Sequence, residues 1–71
     1  MKTLEIVVKN VMKAREVAET VGVEIVSEKL ITVCTLMVIK GDISSLIDFN
    51  DEFFAETTPA LHKQYLNEIM N

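Results

Sequence analysis

The sequence predicts an α+β domain in which a three-stranded, mainly antiparallel sheet carries helices, in the ferredoxin-like split βαβ order β-α-β-β-α-α. Three observations carry this reading. Apolar residues alternate with others over residues 3–9 and 23–28 and run almost unbroken over 30–40, where β-branched side chains are dense. They recur at helical spacing over residues 11–21, over 43–56 and after Pro59. Capping residues (Asn10, Asp42 and Thr58) stand where the period changes.

In the first strand Leu4, Ile6 and Val8 share a face. Asn10 caps a helix whose apolar arc is Val11, Ala14, Val17, Ala18 and Val21, and Gly22 ends it. The second strand places Val23, Ile25 and Ser27 on one face. The third is apolar on both sides, with Ile31, Val33, Thr35, Met37 and Ile39 facing one way and Thr32, Cys34, Leu36 and Val38 the other. No Asn-Gly or Asp-Gly marks the turn between them, so it is placed near Glu28-Lys29-Leu30.

Gly41-Asp42 then breaks the strand. The next helix gathers Ile43, Leu46, Ile47, Phe53 and Phe54 on one arc, with Phe49 at its edge and Asn50 inside it. Thr57-Thr58-Pro59 stops this helix and starts the last, striped by Leu61, Tyr65 and Ile69. The expected core includes Leu4, Ile6, Ile25, Val33, Ile39, Leu46 and Phe53. A helix stands where a full ferredoxin-like unit has its fourth strand.

Seventy-one residues make one small domain, 1–71, and a chain this size buries only about 60% of the surface it exposes unfolded. One cysteine excludes an internal disulfide, and one cysteine with one histidine excludes the Cys/His metal staples of small domains. No apolar run is long enough to span a membrane. The first residues lack a basic-then-apolar signal layout, and with a lone thiol a cytoplasmic protein is expected. The net charge of -4 is uneven: residues 1–41 carry six basic and five acidic side chains, residues 42–71 one basic and six acidic. An acidic second part argues against direct nucleic-acid binding.

Ala14-Arg15-Glu16, Val23-Glu24-Ile25-Val26, Ser27-Glu28-Lys29 and Val38-Ile39-Lys40-Gly41-Asp42-Ile43 follow one another along the chain. In that order residues 11–46 resemble a bacterial microcompartment shell domain, whose helix, two strands and Gly-Asp helix start come in the same sequence. The resemblance implies a related fold. The chain has Lys29-Leu30-Ile31 where that family has a glycine-containing turn, and it lacks the family's pore loop, edge lysine and last strand.

No catalytic constellation emerges, and no cofactor or metal is expected. Cys34 reads as a small strand hydrophobe and His62 as a partly buried, hydrogen-bonded side chain. Gly22 and Gly41 only punctuate elements. Asp48, Asp51, Glu52 and Glu56 line one helix face opposite the apolar arc, a solvated face or a surface for a basic partner. One sheet face, with Val7, Val26, Cys34, Leu36 and Val38, stays wet unless the last helix or a second chain covers it. Leu36, Val38, Leu61, Tyr65 and Ile69 are therefore candidates to meet a second chain or to pack together within one.

These features point to a non-catalytic interaction module that self-associates. The alternative is a small acidic inhibitor, of the kind phages and mobile elements encode, that binds a basic surface of a larger enzyme such as a nucleic-acid-binding one. An ACT-like ligand domain is disfavoured, because Lys9-Asn10-Val11 stands where its glycine-containing turn belongs. The expected partner is a second copy or another protein with a basic surface.

Overall fold

The strand richest in apolar residues lies at the centre of the sheet. In a computed structural model describing residues 1–71, β3 (Cys34–Gly41) pairs antiparallel with β1 (Lys2–Val8) on one side and with β2 (Glu24–Ile31) on the other, giving the order β1-β3-β2. β1 and β2 therefore run parallel with β3 between them, and α1 (Val11–Val21) connects them as a split βαβ unit. The chain is α+β in the order β-α-β-β-α-α, with α2 (Ile43–Phe53) and α3 (Pro59–Met70) completing it.

Alternation sets which sheet face is buried. Leu4, Ile6 and Val8 of β1 stand opposite Ile39, Met37 and Thr35 of β3, and all six are buried beneath the helices. Ala14 and Ala18 let α1 approach this layer closely, and Leu46, Phe49 and Phe53 of α2 fill it. Asn10 Oδ1 accepts the Lys13 amide at 3.1 Å, and Gly22 takes φ 83° at the helix end. Asp42 and Thr58 occupy N-cap positions without a side-chain cap bond.

The hairpin corrects the expected turn. The chain reverses at Thr32-Val33, between the paired Ile31 and Cys34, so β2 runs through the expected turn at Glu28-Lys29-Leu30. Two-residue hairpin loops need positive φ at a central position, and Thr32 supplies it at 44°. Val33, expected in the core, sits at the tip and is 78% exposed, and Ile31 is exposed as well.

A second correction concerns Ser27, expected beside Val23 and Ile25. The register shifts between Ile25 and Ser27, which makes Val26 the extra residue of a bulge. Ile25 stands opposite buried Ile39, but Ser27 stands opposite Val38 on the other face.

α2 ends at Phe53 rather than at residue 56, and its buried arc is rotated toward Phe49. Phe49 is fully buried, whereas Ile43 in the first turn is exposed. Phe54, just past the helix, turns inward and meets Tyr65 with ring centroids 5.0 Å apart. α3 lies against α2 and along the outer edge of β1, where a fourth strand would otherwise pair.

Candidate protein-binding surface

Three regions bear on binding: the acidic face of α2, the sheet face away from the helices, and the free edge of the sheet. Asp48, Asp51, Glu52 and Glu56 are all exposed, as the helix phase requires. Asp51 is engaged, its Oδ1 lying 2.7 Å from Nε2 of half-buried His62. Asp48, Glu52 and Glu56 have no ion-pair partner.

Leu36 and Val38 are half-buried on the outer sheet face, because the alternate β3 residues Met37 and Ile39 fill the core. Register places Val7 beside Leu36, Glu5 and Ser27 beside Val38, and Ile31 beside Cys34. The result is an apolar band along β3 with charges at its margins. α3 does not cross this band. Tyr65, 3% exposed, and Ile69, 0%, pack inside their own chain, so packing within one chain is the arrangement adopted for this helix. Leu61 is half-buried and lines a cleft of about 390 Å³ with Val7, Lys9, Lys13, Cys34 and Phe53. The acidic face and the Leu36/Val38 band lie on opposite sides of the molecule and do not form one site.

The hairpin carries surface that periodicity did not mark. Leu30 is 76% exposed beside exposed Ile31 and Val33. Arg15 on α1 grips Glu28 on β2 through two bonds, Nε to Oε2 at 2.9 Å and Nη2 to Oε1 at 2.6 Å. The hydrogen bond from Arg15 holds the Glu28 carboxyl below the ordinary carboxylate range, and the same bond raises the Arg15 guanidinium. Thirteen residues separate the pair in sequence, so only the α1–β2 packing reveals it.

Cys34 makes no hydrogen bond to a base, and His62 is occupied by Asp51. No group of three or more His, Cys, Asp or Glu side chains is placed to hold a metal ion. No helix is long and apolar enough to cross a membrane. In comparisons with known proteins, no family model, curated protein or solved structure matches the chain.

Proposed function

We propose that the chain is a non-catalytic protein–protein interaction module that self-associates through its sheet. The observation supporting this is the uncovered apolar band of Val7, Leu36, Val38, Cys34 and Ile31 on a sheet whose helices pack on the other face. A domain this small has little other core to gain, and apolar surface of this kind on a small chain is often shared with a second copy. Light scattering tests the reading. A mass of two or more chains at micromolar concentration is expected, and a monomer persisting at millimolar concentration overturns it.

The exposed, unpaired Asp48, Glu52 and Glu56 favour a second reading, an acidic inhibitor docking on a basic protein surface. Neutralising these three and Asp51 to Asn and Gln leaves the core intact. It should slow association with a basic partner, an effect that fades as salt rises. A quadruple variant that binds such a partner as the parent does reduces the stripe to a solvated face.

A further inference from the structure

The sheet has two edges, and the chain treats them differently. β1 is flanked by α3: Tyr65 Oη accepts the Val7 amide at 3.0 Å, and the Ile69 carbonyl accepts the Lys2 side-chain ammonium at 2.8 Å. β2 is open. Seven of its eight residues are exposed, and none of its backbone groups bonds to a helix, loop or side chain. Natural edge strands are protected by cover, proline, charge or bulges. β2 has only its bulge and three charges, and Glu28 is already neutralised by Arg15.

The two remaining charges are Glu24 near the start of β2 and Lys29 near its end, and neither has an ion-pair partner. The bulge puts them on one face. Glu24 stands opposite Lys40 and Lys29 opposite Leu36, alternate positions of β3, although an unbroken strand would turn residues five apart to opposite faces. A strand with an acid at one end and a base at the other, on one face, is complementary to itself when run antiparallel.

We propose that a second copy of this chain pairs antiparallel along β2, joining two three-stranded sheets into one continuous sheet with Glu24 of each copy across from Lys29 of the other. The inference rests on the self-association reading but moves the contact from the apolar band on the sheet face to the β2 edge, where pairing leaves the bands of the two copies side by side on one continuous face. In this register the two-fold axis passes between Val26 and Ser27, and Ile25 of one copy meets Glu28 of the other. The pairs on either side of the bulge then keep their faces, because Ile25 and Glu28 both stand on the core side, opposite Ile39 and Met37, and Glu24 and Lys29 both on the other, opposite Lys40 and Leu36. Exposed Val26 lies at the axis beside its symmetry mate, and exposed Leu30 falls beside Val23 of the second copy. The acidic stripe does not oppose the approach, because α2 packs on α1, α3 and β3, away from this edge.

Charge reversal tests the register. Glu24→Lys and Lys29→Glu each create two like-charge contacts across the axis, and each should weaken the dimer about tenfold in sedimentation equilibrium at low salt. The double variant Glu24→Lys/Lys29→Glu should restore wild-type association. Both positions are exposed, so circular dichroism should show an unchanged fold. In wild type, hydrogen exchange of β2 amides should slow as protein concentration rises. A dimer indifferent to the swaps but dissociated by Leu36→Glu overturns the edge pairing and leaves self-association standing. Failure of the double variant to recover also overturns it, and a wild-type monomer at millimolar concentration overturns both.

Discussion

The hydroxyl of Tyr65 accepts a hydrogen bond from the amide of Val7, 58 residues away in sequence, at 3.0 Å. An α3 side chain thereby takes up a backbone donor that β3 cannot reach, and the helix serves the edge that a fourth strand would otherwise cover. Tyr65→Phe keeps the ring against Phe54 and removes only the acceptor. It should destabilise by about 1–2 kcal/mol in urea melts, the cost of an unpaired, partly buried amide. A change indistinguishable from zero would show that water replaces the hydroxyl without loss.

The same residue predicts an alkaline limb. Burial pushes the Tyr65 phenol above its ordinary value, and the Val7 amide only partly opposes this. The folded state thus holds the proton more tightly than the unfolded state. The contribution is fully present below the ordinary value of about 10 and is lost as pH rises through the raised folded value. Melts from neutral pH to strongly alkaline pH should show a steeper loss for wild type than for Tyr65→Phe. Parallel curves would remove Tyr65 as the cause.

Arg15 and Glu28 set the acid side. The Glu28 carboxyl is depressed by its bond to Arg15, so the folded state binds fewer protons here than the unfolded state. This stability is present above the ordinary carboxylate range and is lost as pH falls through the lowered folded value. Glu28→Gln should flatten the acid limb relative to wild type, and high salt should weaken the difference. An unchanged acid limb in the variant would assign it to other carboxylates.

Asn50 is the buried polar group of the helical layer. Its Nδ2 donates to the His62 carbonyl at 2.9 Å, while its Oδ1 is buried without a protein partner. Asn50→Ala should cost about 1–3 kcal/mol. Asn50→Asp, which replaces the donor with a charge facing a carbonyl, should cost about 3–5 kcal/mol. If Asp is tolerated better than Ala in thermal melts at neutral pH, solvent reaches this site.

Two apolar residues separate core from tip. Phe53, stacked on Phe49 at 5.5 Å between centroids, should lose about 3–5 kcal/mol on truncation to Ala. Val33→Ser, at the exposed hairpin tip, should change stability by less than about 0.5 kcal/mol. Denaturant melts of both variants check the pair, and a large loss at Val33 would contradict the hairpin.

Periodicity and capping by themselves determined the element order, the buried faces of β1 and α1, and the starts of α1 and α3 at Asn10 and Thr58-Pro59. These are local properties: side-chain direction follows from backbone period, and a cap acts within one turn. The exposed face of Asp48, Asp51, Glu52 and Glu56 was legible for the same reason. Tertiary pairing decided the rest. Threonine carries no positive-φ signal, so the turn at Thr32 is set by β2 and β3 closing on Ile31 and Cys34, which moved Val33 out of the core. The bulge at Val26 depends on what β3 offers opposite, and it placed Ser27 and Lys29 on the face they occupy. The α3 stripe showed that Tyr65 and Ile69 must be buried but not against what. An amphipathic face specifies that it leaves water, whereas its partner is chosen by the shape and unpaired hydrogen-bonding groups of the β1 edge, which exist only once the sheet has formed.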